Sequence, residues 1–435
     1  MDPIQTGLAG VALLFALILL HVPIGVAMGV SGLIGTGLII GWEPALTLVA
    51  TEPTSAISNE GLGVVALFLL MGNLAFVGGL SGELYRLFQA FVGHRRGGLA
   101  LATIGSCAGF GAVCGSAVAT TATMAKVALP EMLQRGYAQT LASGSVAAGG
   151  TLGIIIPPSV VLILYGVLTE NSILALFVGS IVPGLIATAL YLVAVLAVVI
   201  WRPDSAPVGV VTPWRERWRT LGQSWAVIVL AVVVGLGIYS GVFTVTEGAS
   251  VGASFALVLT WLRGRLGLAN FLTAMRDTAK GTGLVFVMII GASIFGYFVS
   301  LSGMPGKVVD GIQALGWPPL AVLALLMVLY LIGGAFFDEI ALMILTLPFV
   351  YPLIISMGYD PIWWGIINVV IIELGMIIPP IGINVFVLKG VARDIPLTTI
   401  YRGVAPFIAV DVVRLALLIV FPVLTLWLPK QLGWL

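Results

Sequence analysis

Two stretches of the sequence interrupt otherwise apolar runs with small and oxygen-bearing residues. In the first, glycine and hydroxyl residues crowd the segment 105–123 around the pair Gly115–Ser116. In the second, Gly334 precedes two adjacent carboxylates, Asp338 and Glu339. Free carbonyls, hydroxyls and carboxylates are ligands for hard cations, and charged groups at membrane depth must face protein or water. The pattern therefore predicts cation binding at both stretches, with Asp338 rather than Glu339 as the direct ligand.

Two proline pairs, Pro157–Pro158 and Pro379–Pro380, interrupt two further apolar runs. Proline removes a backbone donor and clashes with the preceding turn, so both helices must break there. The carbonyls freed at a break can coordinate Na⁺, and the new helix N-terminus attracts an anion. Just upstream lie Gly150–Thr151 in the first run and Glu373 and Gly375 in the second, which we predict as further cation ligands.

The residues that follow the breaks, Ser159 and Asn384, are predicted to line the substrate path. Each feature also has a structural interpretation. Small residues permit close helix packing, Asp338 is suited to cap a helix, and Glu373 can be a neutral, hydrogen-bonded group beside a kink. Asp411 and Arg414, one helical turn apart, are interpreted as a structural ion pair.

The elements that hold these residues are predicted from composition. Of the 435 residues, 60% are hydrophobic and 9% charged, and the mean hydropathy is +1.16. Soluble proteins carry about 25% charged residues, so lipid must solvate much of this chain. In lipid every backbone polar group must be paired within its segment, which makes the long apolar runs helices. The fold class is an all-α polytopic membrane protein.

The two halves of the sequence repeat. The motif Ile-Ile-Pro-Pro at 155–158 recurs at 377–380, 222 positions later, and Gly136–Tyr137 recurs at the same offset as Gly358–Tyr359. Repeats built around broken hydrophobic segments are typical of secondary transporters. The predicted units are a first repeat at 1–201 (hairpin 99–135, broken helix 140–168), a linker at 202–222, and a second repeat at 223–435 (hairpin 319–356, broken helix 361–388). Plain crossings are predicted at 6–22, 24–41, 61–80, 173–201, 223–242, 246–263, 281–301 and 403–428.

Charge predicts how the repeats are inserted. If both interrupted stretches are re-entrant hairpins, the loops on the cytoplasmic side hold 16 of the 19 Lys and Arg residues, as cytoplasmic loops should. Those loops are 81–98, 126–139, 202–222, 263–280 and 389–402. The loop 42–60 carries three Glu and no basic residue, whereas its repeat partner 263–280 carries four basic residues. Equivalent loops are therefore predicted on opposite sides, which is an inverted-topology repeat.

Composition and motifs exclude several functions. The net charge of +1 gives no field for nucleic acid, and two cysteines within one small-residue stretch give no disulfide framework. The sequence has no Walker motif, no metal-ligand set and no nucleophile–base pair, so an ATPase and an intramembrane enzyme are disfavoured. An open channel is disfavoured because occluding hairpin tips leave no pore.

Several motifs together resemble the large membrane subunit of tripartite ATP-independent periplasmic (TRAP) transporters. They are Gly-Phe-Gly-Ala-Val-Cys-Gly-Ser at 109–116, Pro-Glu-Met-Leu-Gln-Arg-Gly-Tyr at 130–137, Ala-Gly-Gly-Thr-Leu-Gly-Ile-Ile-Ile-Pro-Pro-Ser at 148–159 and Pro-Pro-Ile-Gly-Ile-Asn at 379–384. The resemblance extends over essentially the whole chain. Two positions depart from the family pattern: Ala117 stands where Ser is frequent, and Glu339 where Pro or Gly is usual.

The resemblance implies Na⁺-driven uptake of a small organic anion, of the carboxylate or dicarboxylate class, across the bacterial inner membrane. It implies two partners, a small four-helix membrane subunit and a periplasmic substrate-binding protein, and no cofactor beyond the coupling ion. It also implies an elevator mechanism, in which hairpins and broken helices move against a fixed scaffold. The alternative left open is a stand-alone symporter for Na⁺ and a divalent anion, of related architecture.

Overall fold

The apolar runs fold into α-helices, because only helices pair every backbone donor and acceptor within one membrane segment. A computed structural model describes residues 2–435, and these residues form 21 α-helices, one short 3₁₀ turn and no β-strand. The helices of the first half are α1 Pro3–Leu19, α2 Ile24–Ile40, α3 Trp42–Ser58, α4 Glu60–Val77, α5 Leu80–Val92, α6 Gly98–Cys114, α7 Ala117–Gln134, α8 Gln139–Ile155, α9 Val160–Leu168 and α10 Ile173–Trp201. The remaining helices are α11 Trp214–Gln223, α12 Trp225–Tyr239, α13 Val245–Leu262, α14 Leu268–Ser302, α15 Met304–Ala314, α16 Pro319–Phe336, α17 Glu339–Ser356, α18 Pro361–Gly375, α19 Ile383–Val391, α20 Leu397–Val420 and α21 Val423–Gln431.

Eight helical stretches among the described residues are long and apolar enough to cross a membrane, or nine if the bent pair α11–α12 counts as one span. The eight are α4, α8 with α9, α10, α13, α14, α16, α17 and α20. Large apolar side chains such as Leu185, Leu236 and Leu329 are exposed on these and neighbouring helices, where lipid takes the place of water. The chain is a multi-pass helical membrane protein, as its composition predicts.

The four predicted interruptions coincide with helix ends. Helix α6 ends before Gly115–Ser116 and α7 begins after them, and Phe337–Asp338 separate α16 from α17 in the same way. The proline pairs separate α8 from α9 and α18 from α19, and each contains a cis peptide bond. Because α16 and α17 are each long enough to cross a membrane alone, the re-entrant course of this hairpin stays a prediction.

Some predicted boundaries are wrong. The segment 42–60, interpreted as a loop, is almost entirely helix α3, and amphipathic helices α5 and α11 occupy much of the loops 81–98 and 202–222. The predicted crossing at 403–428 is two helices, α20 and α21, because Pro422 cannot continue the helix that ends at Val420. The predicted loop 263–280 is largely the first third of the 35-residue helix α14.

Helices α8 and α18, the first halves of the two broken helices, form the centre of the molecule. Nearly every residue from Leu141 to Ile155 and from Ile362 to Gly375 is buried. Helices α6, α7, α10, α16 and α20 pack around them, and α1–α4 with α12–α14 form a flanking layer. In that layer glycine allows close approach: a Cβ on Gly25 would lie 2.6 Å from the carbonyl oxygen of Val287 in α14.

Candidate functional site

The first tip, between α6 and α7, is a sharp turn. Gly115 has φ +66°, a conformation that side chains disfavour, and an added Cβ would lie 2.8 Å from the carbonyl oxygen of Pro158. Ser116 caps α7 by accepting from the backbone N–H of Ala119 at 3.5 Å. The carbonyl of Gly115 accepts from the N–H of Val160 at 3.4 Å, which joins the tip to the first residue of α9.

The second tip, between α16 and α17, is joined to the other break in an equivalent way. The carbonyl of Ala335 accepts from the N–H of Gly382 at 3.1 Å. Asp338 caps α17, since its Oδ1 accepts from the N–H of Ile340 at 3.1 Å. One oxygen of Asp338, Oδ1, therefore serves as the helix cap that the sequence offers as an alternative to cation binding. The carboxylate of Glu339 is buried, and its Oε2 has no hydrogen-bond partner among the described residues.

Each tip also packs against the broken helix of its own half through glycine. A Cβ on Gly111 of α6 would lie 2.7 Å from the Cα of Gly153 in α8, and a Cβ on Gly375 of α18 would lie 2.7 Å from the Cα of Gly334 in α16. We call these the two glycine contacts. Gly150 faces α7, where an added Cβ would lie 1.8 Å from Oγ1 of Thr121. The predicted ligand positions Gly150, Gly334 and Gly375 are thus places where two helices approach each other closely.

Both tips open into one cavity of about 690 Å³, which we call the tip cavity. Gly115 and Ser116 line it from the first tip, and Asp338 and Glu339 from the second. The start of α9, the turn between α1 and α2, and the apolar side of α14 supply the rest of its wall. Its titratable lining groups are His21, Asp338 and Glu339, and its described lining residues include no Lys or Arg.

A buried charge cluster is formed by Thr151, Tyr191, Glu373, Asp411 and Arg414, each at most 1% exposed, and none of them lines the tip cavity. Nη2 of Arg414 donates to Oε2 of Glu373 at 2.9 Å and lies 3.1 Å from Oδ1 of Asp411. The hydroxyl of Tyr191 donates to the other oxygen of Asp411 and lies 3.1 Å from Oγ1 of Thr151. The cluster joins α8, α10, α18 and α20, and so it connects the two halves of the chain.

The structure brings some predicted ligands together and separates others. Gly115, Ser116 and Asp338 share the tip cavity, whereas Thr151 and Glu373 belong to the buried charge cluster. Asn384 is buried, with its Nδ2 3.5 Å from the carbonyl of Ala147. Ser159 caps α9 by accepting from the N–H of Leu162 at 3.4 Å.

The two proline pairs differ in their surroundings. Pro157 and Pro158 are buried and line a separate cavity of about 250 Å³ beside Tyr239. Pro379 and Pro380 are exposed, and the carbonyl of Pro380 accepts from the hydroxyl of Tyr401 at 2.7 Å. Sequence reasoning missed Tyr191 entirely and discounted Glu339. The sequence does carry a signal for Glu339, because a second carboxylate at membrane depth is costly and indicates a functional position.

Comparison with known proteins agrees with this architecture. Residues 11–424 match the family model "Tripartite ATP-independent periplasmic transporter, DctM component". The chain is 33% identical over 407 residues to the C4-dicarboxylate TRAP transporter large permease protein DctM of Pseudomonas aeruginosa, covering 91% of this chain and 94% of that one. It is 31% identical over 421 residues to the ectoine/5-hydroxyectoine TRAP transporter large permease protein UehC of Ruegeria pomeroyi, covering 95% and 96%.

Among solved structures, the fold is similar to that of the YdaH transporter of Alcanivorax borkumensis, described as having an unusual topology. The TM-score is 0.63 at 18% identity, and the match covers 91% of this chain and 90% of that one. At that identity the likeness concerns the fold alone.

Proposed function

The chain belongs to the DctM family, the large permease component of TRAP transporters, and on that premise we propose that it carries out Na⁺-coupled uptake of a small organic anion across the bacterial inner membrane. It is a transport component and not an enzyme. The observation that carries the proposal is the tip cavity, because it collects hard oxygen donors from both repeats in one space.

In the proposed mechanism, Na⁺ binds at the tips and lowers the cost of moving a carboxylate through a low-dielectric barrier. Ser116 supplies a hydroxyl and Asp338 a carboxylate oxygen, both suited to a hard cation. The N–H groups of Val160 and Gly382 donate to the carbonyls of Gly115 and Ala335, which ties each tip to a break, so tips and broken helices are proposed to move together as the elevator.

The relatives named for C4-dicarboxylates support a carboxylate or dicarboxylate as the solute. A tripartite transporter has two further components, which we propose to be a small four-helix membrane subunit and a periplasmic binding protein that delivers the solute. The duplicated units 1–201 and 223–435 are proposed to insert with opposite orientations around the linker 202–222.

The test is solute uptake into proteoliposomes that hold both membrane subunits, with the cognate binding protein outside. We expect accumulation of the binding protein's ligand under an inward Na⁺ gradient and none under an equal K⁺ gradient. Ser116→Ala and Asp338→Asn should each raise the half-saturating Na⁺ concentration, whereas Glu43→Gln, at an exposed position, should not. Equal uptake in Na⁺ and K⁺ gradients would refute the proposed Na⁺ coupling.

The same vesicles test the alternative of a stand-alone symporter. A tripartite carrier needs its binding protein, so omitting that protein should abolish uptake at micromolar solute. Full uptake without it, for a divalent anion, would favour the stand-alone symporter.

A further inference from the structure

Glu339 has no role in the mechanism proposed above, although its position is unusual. It is 3% exposed at the first position of α17 and lines the tip cavity. Its Oε2 has no hydrogen-bond partner, and no described Lys or Arg lies within ion-pair distance of its carboxylate. A buried carboxylate that nothing satisfies is costly, and such groups occur mainly where a ligand satisfies them.

The missing partner of Glu339 points to a ligand. The N-terminus of α17 favours negative charge, and the N–H of Ile340 there donates to Asp338, not to Glu339. Glu339 lines the tip cavity, and a group bound in that cavity would supply the missing partner.

The charge of the cavity limits what that group can be. Asp338 and Glu339 both line it, and its described lining includes no Lys or Arg. With one Na⁺ at Asp338, an ionised Glu339 lacks a counter-charge. A dianionic solute would add further negative charge beside the two carboxylates, whereas a cationic nitrogen would satisfy Glu339 directly.

We propose that Glu339 binds a cationic nitrogen of the transported solute, so that the solute is a zwitterion: a small carboxylate or sulfonate that also carries an ammonium or amidinium group. This inference rests on the proposed Na⁺-coupled uptake, and it changes the solute from a small organic anion to an acid that also carries a positive charge. The anionic end of the solute lies with Na⁺ at the tips, and the nitrogen donates to the carboxylate of Glu339.

The experiment uses pairs of solutes that differ in the nitrogen. Taurine and isethionate differ by ammonium against hydroxyl, and L-glutamate and 2-oxoglutarate by ammonium against ketone. Uptake of all four is measured in Na⁺-driven proteoliposomes with both membrane subunits and the binding protein, for the wild type, Glu339→Gln, Glu339→Asp and the exposed control Glu43→Gln. Because the binding protein is the same throughout, a changed preference belongs to the permease.

We expect the wild type to accumulate at least one nitrogen-bearing solute in preference to its partner. Glu339→Gln should lower the ratio of their uptake rates about 10- to 100-fold, the effect of losing one hydrogen bond between charged groups. Glu339→Asp should retain part of the preference, and Glu43→Gln all of it. Thermal unfolding of each variant identifies any loss that comes from misfolding, and preference ratios are compared among the folded variants.

Two results would overturn the inference: accumulation of neither taurine nor L-glutamate, and an unchanged preference in Glu339→Gln. An unchanged preference together with a raised half-saturating Na⁺ concentration would make Glu339 a Na⁺ ligand instead. Na⁺-driven uptake of isethionate or 2-oxoglutarate, without uptake of taurine or L-glutamate, would refute the proposal that the solute is a zwitterion and leave the proposed function intact. Uptake that ignores the Na⁺ gradient would instead refute the proposed coupling.

Discussion

Replacing Arg414 with methionine tests whether the buried charge cluster holds the two halves of the protein together. Arg414 is the cluster's one cation and contacts both Glu373 and Asp411. Methionine fills similar space without charge, so Arg414→Met leaves two buried carboxylates with no counterion. Breaking a buried ion pair by removing one partner costs about 3–5 kcal/mol, a large share of the ~5–15 kcal/mol that stabilises a typical protein.

The same reasoning predicts a rescue. In the triple variant Arg414→Met, Glu373→Gln, Asp411→Asn, no charge stays buried in the cluster, so the cost of an uncompensated buried charge is absent. The triple variant should therefore unfold well above Arg414→Met. The matched control is Arg135→Met, whose partner Glu131 forms an exposed pair with it at 2.6 Å and should contribute at most ~1 kcal/mol.

The chain carries its own reporters for the assay. Its two cysteines, Cys107 and Cys114, are free and buried, so a dye that fluoresces on reacting with thiols reports unfolding without an added label. Thermal midpoints are measured in one detergent for all variants. An Arg414→Met midpoint equal to the wild type, or a triple variant no more stable than the single one, would refute a charge-balanced cluster.

Three further predictions concern other contacts. Gly375→Ala should reduce uptake and lower the unfolding midpoint, because its Cβ would lie 2.7 Å from the backbone of Gly334, whereas Gly63→Ala, with open space around it, should do neither. Arg263→Lys should destabilise the protein by about 1–2 kcal/mol, since lysine cannot reproduce the two hydrogen bonds of 2.7 and 2.8 Å to Glu83. In a double-mutant cycle with Glu83→Gln, a coupling energy near zero between the two positions would contradict this. Single cysteines at Ser55 and Asn270, in a background lacking Cys107 and Cys114, should react with an impermeant maleimide from opposite sides of the membrane, and labelling from one side would contradict the inverted repeat.

The sequence predicted the helical class and the four interruptions because their causes are local. Apolar composition requires helices in lipid, Pro157–Pro158 and Pro379–Pro380 cannot continue one, and Gly115 adopts a turn that disfavours side chains. Helices α3, α5 and α11 lie in segments that the sequence predicts as loops, since hydropathy detects apolar runs and misses helices that are polar on one side.

The site was harder to predict because its partners are distant in the sequence. The spacing of Asp411 and Arg414 predicts that they pair, but Glu373 reaches the same guanidinium from another helix 41 positions away. The sequence offers two interpretations of Glu373, a cation ligand and a neutral hydrogen-bonded group, and neither includes its contact with Arg414; its role as a ligand stays a prediction. Tyr191 gave no signal at all, since a single tyrosine in an apolar run is unremarkable until its neighbours are known.

The polar groups of the tip cavity are distributed unevenly. Almost all of them stand on the two tips, whereas the facing wall on α14, including Leu284, Val285 and Met288, is apolar. A surface without donors or acceptors cannot hold an ion or a charged solute once the tips withdraw. If the tips and the bound solute move together as proposed, they pass this wall without breaking and re-forming many hydrogen bonds. The energy barrier along the path is correspondingly low.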